Sequence, residues 1–378
     1  MAVSRTHRAT LKDVAQLAGT SVATASRALA GIRLASDETH QRILDAAQTL
    51  NYQPNLQARA LRRQSSRAIG LVIPNLFNVG YTAIADATSR ILAKRGYHLL
   101  LSPTGDDQRT EAEILRDMVG QNVDGLILVP SAVDRALVDY LLEHDVPTVA
   151  AIRRVPDDRL DTVTFEDFAG AIAATNHLLS LGHRRIGYIG GDVHHSSNQA
   201  RWQGYQAALR EHDLPVAEEL VRLGALRNTW GSVATATLMR LAEPPTALFV
   251  ASVGLIPGVL AALQSYGIVV PEDLSLICFD DVEWFSFTVP KITAINSSQS
   301  RLAEAAITLL LTRIEEPEQR GRAPSLMEIK SELMLRGSTA SPRQGKLVLR
   351  GWNGSCTPLP DISVIEGSAD TPQMRVSE

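Results

Sequence analysis

The sequence contains little cysteine: Cys278 and Cys356 are its only two thiols among 378 residues. Two thiols cannot build a disulfide framework or a four-cysteine zinc site, and they fit a protein kept in a reducing compartment. The first ten residues also lack the apolar run of a secretory signal peptide. We therefore expect a cytoplasmic protein.

The motifs of common enzyme classes are absent as well. The chain has no G-x-G-x-x-G, no P-loop, no G-x-S-x-G and no H-E-x-x-H pattern. His194 and His195 are the one candidate pair of metal ligands. Adjacent residues of an extended loop point in different directions, however, and no cysteine or glutamate lies at ligand spacing. The sequence therefore predicts no enzymatic activity, no cofactor and no metal site.

Charged residues are missing from one long stretch, residues 244–270. Prolines and glycines interrupt this stretch. A buried strand over 247–251 followed by a short packed helix therefore explains it better than a membrane-spanning helix. We expect no membrane segment.

Charge is unevenly distributed along the whole chain. Residues 1–67 carry a net charge of +6 and residues 68–378 a net charge of −10, in a chain long enough for two or three compact units. A basic head on an acidic body is typical of a head that contacts a polyanion. A basic extension without a ligand remains the alternative.

The first fifty residues predict three short helices. Thr10 and Asp13 form a capping-box pattern, and Gly19 ends the first helix. Ser21 and Ser36 are the N-cap residues expected for the second and third helices. A helix, a tight turn and a second helix that begins with small side chains can place a helix N-terminus in the DNA major groove. A helical hairpin without a ligand is the alternative.

From residue 68 onward, short β-branched runs alternate with segments of helix length. The predicted strands are 68–73, 97–101, 125–129, 148–151, 185–189, 247–251 and 274–279. This alternation predicts parallel sheets with helices on both faces, and the length is sufficient for two such sheets. Ligands of these folds bind beyond the carboxyl ends of the strands.

Many segments of the chain resemble the lactose-repressor (LacI/GalR) family of bacterial transcriptional regulators. The matching segments include LKDVA at 11–15, TASR at 24–27, NYQPN at 51–55, ARAL at 58–61, DGLI at 124–127, HLLSLGHRRI at 177–186, RWQGY at 201–205, FDD at 279–281 and LRGST at 335–339. The resemblance implies an all-α helix-turn-helix headpiece and an α/β sensor core, similar to periplasmic binding proteins, with two parallel-sheet subdomains.

The same resemblance implies the domain boundaries. The headpiece covers 10–52, the hinge helix and linker 53–67, and the effector-binding and dimerisation core 68–340. Within the core, subdomain one covers about 68–166 and 298–329, and subdomain two about 167–297 and 330–340. Residues 341–378 contain many prolines and glycines and no leucine heptad, so we expect an irregular tail without an oligomerisation helix.

The resemblance also implies the contacts with DNA. The residues concerned are Val22, Ala23, Thr24, Ser26, Arg27, Asn55, Arg59 and Leu61. Because Val22 and Ala23 are apolar, direct polar readout of bases rests mainly on Arg27. Leu61 matches the leucine that enters the minor groove at the operator centre, and packing on a dimer mate is its alternative role. A hinge helix this short implies a homodimer on a palindromic, double-stranded operator.

The family's effector site lies in the cleft between the two subdomains. The positions that match it are Tyr81, Ile152, Arg153, Phe165, Arg201, Ser252 and Asp280. Arg201 would contact effector oxygen atoms and Asp280 would accept hydroxyl hydrogens. Each could instead belong to an interdomain salt bridge.

The cleft departs from the family pattern at Ile152, which replaces an acidic residue, and at Ser252, which replaces part of a polar pair. If Arg153 and Arg154 make the mouth positive, an anionic effector such as a sugar acid or sugar phosphate fits better than a neutral hexose. If both arginines face solvent or pair with Asp157 and Asp158, the pocket is only more apolar. A transport-type binding protein or an enzyme without operator binding is the alternative function.

Overall fold

A computed structural model describes residues 9–29, 36–52, 65–131, 135–155, 158–319, 321–347 and 349. The chain divides into two compact units, residues 1–67 and 68–378. No helix within these described ranges is long and apolar enough to cross a membrane. The uncharged stretch 244–270 instead forms a buried strand and a helix of ten residues.

The first unit is a helical headpiece. Its helices are α1 (Leu11–Leu17), α2 (Val22–Leu29) and α3 (Asp37–Thr49). Thr10 and Asp13 form the predicted capping box: the Thr10 hydroxyl accepts from the Asp13 amide, and the Asp13 carboxylate accepts from the Thr10 amide at 2.7 Å. Ser21 accepts from the Thr24 amide and Ser36 caps α3. The three predicted N-caps are confirmed.

The headpiece has a small core made mostly of alanine. The buried apolar side chains are Val14, Ala15, Ala18, Ala25, Ala28, Ile43 and Ala46. Side chains this small let the three helices approach closely, but they bury little apolar area. Local capping energies of about 1 kcal/mol are therefore a large part of the stability of this unit.

Replacing Thr10 by alanine should loosen α1. The change removes the side-chain acceptor of the capping box and should cost about 1 kcal/mol, or about fivefold in the opening equilibrium. Native-state hydrogen exchange of the full chain should show about fivefold faster exchange in α1. Thr10→Ser is the matched control, because it keeps the hydroxyl. Equal acceleration in both variants would show that the cap is not the cause.

The second unit contains two sheets, each covered by helices. The first sheet has β1 (Ala68–Ile73), β2 (His98–Pro103), β3 (Gly125–Leu128), β4 (Thr148–Ala151), β5 (Asp161–Phe165) and β11 (Leu326–Ile329). The strand order is β11-β5-β4-β3-β1-β2, with every pair parallel. Its helices are α4 (Val79–Lys94), α5 (Gln108–Gly120), α6 (Arg135–Glu143) and α11 (Gln299–Glu315). We call this assembly the first lobe.

The second lobe is built in the same way. Its strands are β6 (Ile186–Gly190), β7 (Val221–Leu223), β8 (Ala247–Val250), β9 (Ser275–Phe279), β10 (Thr293–Ser297) and β12 (Ser331–Met334), in the order β12-β10-β9-β8-β6-β7. Its helices are α7 (Asp167–Ser180), α8 (Ser196–Glu211), α9 (Asn228–Met239) and α10 (Ile256–Ser265). The predicted α/β architecture with two sheets is confirmed. One detail differs, since β12 runs antiparallel to β10.

The chain passes between the lobes after β5, after β10 and between β11 and β12. Glu166, at the first passage, donates its amide to the Ile329 carbonyl at 3.0 Å. The carboxyl ends of strands in both sheets therefore lie at the junction of the lobes, where ligands of such folds bind.

The start of the predicted tail is attached to the second lobe. The Arg343 guanidinium donates to the carbonyls of Pro245 and Asp273, at 3.2 and 2.8 Å. Leu347 and Leu349 pack against the hydrophobic core of this lobe. The residues 341–347 and 349 thus follow the body of the core without forming a helix or strand.

Candidate functional site

The predicted recognition helix α2 has one buried and one outward face. Ala25 and Ala28 are buried in the headpiece core. Val22, Ala23 and Arg27 are exposed on the other side. The side chains proposed to contact bases are therefore available, and the helix is held by residues that point away from them.

The remaining predicted DNA contacts are placed as follows. Thr24 is half-buried, and its hydroxyl lies 2.8 Å from the Ser21 hydroxyl at the helix start. Ser26 is also half-buried. The hinge residues Asn55, Arg59 and Leu61 lie outside the described residues, so their roles remain predictions.

One cavity in the core contains every predicted effector residue. It is lined by Tyr81, Ile152, Arg153 and Phe165 from the first lobe and by Arg201, Ser252 and Asp280 from the second. The other lining residues were not among the predicted effector contacts; they are Asn78, Gly80, Ile84, Ser197, Asn198, Leu226 and Gln299. Most of these residues follow the end of a strand or lie in the first turn of a helix. Their positions along the chain could therefore have identified them as ligand-site candidates.

Arg201 is the central cation of the cavity. It is 4% exposed. Its Nε donates to Asp167 at 2.7 Å, and its two terminal nitrogens reach Asp280 at 3.3 and 3.4 Å. It also donates to the Ala251 carbonyl at 2.7 Å and lies over the Phe279 ring. Since all of these partners belong to the second lobe, the salt bridge considered for Arg201 and Asp280 lies within one lobe and does not join two.

Arg153 is held in the cavity by a strained turn. Ile152 has a φ of 66°, in the left-handed region that β-branched residues rarely adopt. The Arg153 amide donates to the Ala151 carbonyl at 2.7 Å and closes the turn. Strain of this kind costs about 1–3 kcal/mol and is concentrated at functional sites.

The two arginines at the cleft mouth have acidic partners. Arg153 is buried and donates to Asp106 at 2.6 Å and to the Tyr81 hydroxyl at 3.2 Å. Arg154 is half-exposed and pairs with Glu328 at 2.8 Å. The expectation of unpaired positive charge at the mouth is therefore wrong. The alternative, in which both arginines pair with acidic residues, agrees better with the structure, but the partners are Asp106 and Glu328 and not Asp158. Asp157 lies outside the described residues.

Two polar contacts cross the mouth of the cleft. The His195 Nε2 atom of the second lobe lies 3.3 Å from the Asp106 carboxylate of the first. The Arg154 amide donates to the Ser196 hydroxyl at 2.7 Å. His194 turns instead to Asp192, at 2.6 Å, so the two adjacent histidines do have different partners. His195 is a cleft residue that sequence reasoning considered only for a metal.

The chain matches two family models. Residues 10–55 match "Bacterial regulatory proteins, lacI family", and residues 175–339 match "Periplasmic binding protein-like domain". Over 330 residues it is 32% identical to the HTH-type transcriptional repressor PurR of Actinobacillus pleuropneumoniae serotype 3 (strain JL03), covering 87% of this chain and 98% of that one. The chain belongs to the lacI family.

Solved structures agree with this assignment. The transcriptional regulator CelR in complex with cellobiose is 28% identical with a TM-score of 0.65, and covers 88% of this chain and 100% of its own. The lac repressor dimer bound to operator and the anti-inducer ONPF is 24% identical with a TM-score of 0.77. The match covers 88% of this chain and 99% of the lac repressor chain. This lacI-family protein is a DNA-binding transcriptional regulator controlled by a small-molecule effector, and it is not an enzyme.

Asp167 is buried and pairs with Arg201, which lines the cavity of this regulator. Burial raises the pKa of the Asp167 carboxyl to about 6, although the adjacent Arg201 acts in the opposite direction. Burial alone would also raise the pKa of Asp106, but hydrogen bonds from His195 and Arg153 outweigh burial and hold this pKa well below its usual range. The Asp106 carboxylate at the mouth of the cleft therefore stays ionised. The Asp167 carboxylate, which pairs with Arg201, takes up a proton in mildly acidic solution.

Comparison with the Asp167→Asn variant should show how protonation of Asp167 changes the free energy of unfolding with pH. Because the folded pKa is above the unfolded value of about 3.9, the contribution to stability is complete at low pH and is lost as the pH rises through about 6. Urea unfolding of both proteins should therefore show the natural chain losing stability relative to Asp167→Asn between about pH 4 and pH 6, with no further change above about pH 7. The exposed Asp86→Asn is the control. A difference between natural chain and variant that is independent of pH would contradict the assignment.

Proposed function

We propose that the protein is a repressor whose paired headpieces bind a palindromic operator and whose operator affinity changes when a ligand binds in the cleft. The observation that carries the proposal is that one chain combines an outward-facing helix α2 with a cavity lined by residues of both lobes. A ligand that contacts both lobes can favour one lobe arrangement over another and so change operator affinity. Action on operator DNA places the protein in the cytoplasm.

The DNA-binding unit is a homodimer. A two-fold axis relates two copies of α2 to two half-sites, and the lac repressor was solved as a dimer bound to its operator. Leu61 enters the minor groove at the centre of this arrangement. Selection of operators from random duplexes with the full chain should return palindromes, and sedimentation should show two chains per duplex. Recovery of non-palindromic duplexes bound by one chain would contradict the proposal.

Ligand binding requires the cleft to open. The free space in the cavity is about 30 Å³, which is room for about two water molecules. The contacts between Asp106 and His195 and between Arg154 and Ser196 close the mouth. A sugar-sized effector therefore enters when these contacts separate, and they can form again around it.

The charges in the cavity support a neutral, hydroxylated effector. Arg153 and Arg201 are already paired with Asp106, Asp167 and Asp280, so an anion would have to displace one of these carboxylates. Hydroxyl groups can donate to these carboxylates without separating the pairs. An anionic sugar derivative is the second candidate for the effector, because Ile152 replaces an acidic residue of the family pattern. CelR, solved with cellobiose, shows that one relative binds a neutral sugar.

Calorimetry can distinguish the two ligand classes. The full chain is titrated with cellobiose and with cellobionic acid, and then with other matched pairs of neutral sugar and sugar acid, at low and moderate salt. We expect the neutral member to bind more tightly by at least about tenfold, since each displaced charged hydrogen bond costs about 1.5–3 kcal/mol. Tighter binding of the acid, weakened by salt, would favour the anionic effector.

A further inference from the structure

The first lobe contains a second cavity at the end of its sheet opposite to the cleft. Thr148 and Asp161, the first residues of β4 and β5, form its floor. The cavity measures about 110 Å³. This volume exceeds the space for one water several times and is enough for a compact organic group. Since the effector cleft lies at the carboxyl ends of the strands, the two cavities are separated by the sheet.

The cavity has an apolar wall and a set of guanidinium groups. The wall consists of Leu142, Val146, Pro147, Leu160 and Pro324. Arg159, Arg313 and Arg322 also line the cavity, together with Asp145 and Asp161. Guanidinium groups bind carboxylate and phosphate oxygens through parallel hydrogen bonds, and they tolerate partial burial beside apolar surface better than ammonium groups do.

Arg313 and Asp161 hold the loop 322–325, which lines the cavity, through hydrogen bonds. Arg313 donates to both oxygens of Asp161, at 2.8 and 3.1 Å, and also to the carbonyls of Arg322 and Ala323, at 2.8 and 3.3 Å. Asp161 accepts from the amide and the hydroxyl of Ser325, at 2.8 and 3.0 Å. The backbone on both sides of Pro324 is thereby fixed, so the cavity is preorganised.

The charges of the lining leave one cation available. Arg313 is committed to Asp161, and Arg159 pairs with Asp139 at 2.8 Å. Within the described part of the chain, the exposed guanidinium of Arg322 donates to no acceptor. A ligand anion at the cavity mouth can therefore pair with Arg322 without breaking an existing ion pair, while its apolar part lies against Pro147 and Pro324.

We propose that this cavity is a second ligand site, separate from the effector cleft, for a small organic anion: a carboxylate or phosphate carried on a compact apolar body. Arg322 supplies the anion contact and the wall of leucine, valine and prolines supplies the apolar contact. The site does not depend on the effector proposed for the cleft.

The test is calorimetric titration of the full chain with phenyl phosphate, with benzyl alcohol and inorganic phosphate as probes of the apolar and the anionic part alone. We expect phenyl phosphate to bind one site per chain and more tightly than either probe. Arg322→Gln should weaken this binding about tenfold, because one charge-assisted pair is lost. Arg322→Lys should recover only part of it, because an ammonium keeps the charge but makes no pair of parallel hydrogen bonds. Arg210→Gln, at a distant exposed arginine on α8, should retain all of it.

Several outcomes would overturn the proposal. Equal affinity for benzyl alcohol would mean that no anion contact is made, and equal affinity for inorganic phosphate would mean that the apolar wall is not used. The same loss in Arg322→Gln and Arg210→Gln would show attraction by overall charge alone. No binding at millimolar phenyl phosphate would remove the site altogether. Saturation of the cleft with a sugar does not change any of these outcomes, so failure here and failure of the proposed effector are distinguishable.

Discussion

Replacing Arg201 by methionine is expected to abolish effector binding and to lower the free energy of unfolding of the core by about 3–5 kcal/mol, because breaking a buried ion pair leaves uncompensated charge. Methionine has a similar length but donates no hydrogen bond. Asp167 and Asp280 are both buried and would then lack the cation that they share. The Ala251 carbonyl would lose its donor as well.

Urea unfolding of the full chain, followed by tryptophan fluorescence and circular dichroism, measures this loss. Arg210→Met is the matched control, since Arg210 is an exposed arginine on the same helix α8. Adding Asp167→Asn to Arg201→Met removes one of the two buried carboxylates that have lost their cation. We therefore expect the double variant to be more stable than Arg201→Met alone. If Arg201→Met unfolded at the same urea concentration as Arg210→Met, the ion pairs would contribute nothing to the core.

Replacing Arg27 by alanine is expected to weaken operator binding by about 1–3 kcal/mol, or about 5- to 150-fold, with little change in binding to random duplexes. Arg27 is exposed, while its neighbours Ala25 and Ala28 hold α2 in the headpiece. The substitution therefore removes a guanidinium from the DNA-facing side and leaves the packing intact. Because Val22 and Ala23 cannot donate hydrogen bonds from their side chains, no neighbour can replace the lost contact.

Gel shift at fixed salt, with the selected operator and with a scrambled duplex of equal length, gives both affinities. Arg42→Ala, at an exposed position of α3, is the control for loss of one positive charge. We expect Arg27→Ala to reduce the ratio of the two affinities and Arg42→Ala to leave this ratio unchanged. Equal weakening on both duplexes in Arg27→Ala would assign Arg27 to a phosphate contact instead of a base.

The elements that the sequence predicts well are those whose signals are local. Thr10 and Asp13 are three positions apart, and their capping box depends on nothing outside the first turn of α1. The predicted strands 68–73 and 148–151 form where expected, and the others differ by a few residues at their ends. Alternation of such strands with helices was sufficient to predict two sheets.

The strands that sequence reasoning missed lie mostly at sheet edges or carry polar residues. β7 has three residues and is partly exposed, and β7, β11 and β12 each lie at an edge of their sheet. An edge strand needs no continuous apolar run, since one side has no neighbour. Its existence and its direction depend on the strand beside it, which explains why the antiparallel pairing of β12 with β10 was not predicted.

The sequence by itself determined the family, the two-sheet core and seven of the residues that line the cleft, because motif spacing preserves register along the chain. Only the tertiary structure decided the charge of that cleft. Arg153 and Asp106 are 47 positions apart, and Arg201 and Asp280 are 79 apart. Two side chains so distant become partners only when the strands before them end at the same edge of a sheet. Because Coulomb energy depends on the distance between charges and on their burial, the sequence could list the arginines, but it could not show that each was already paired.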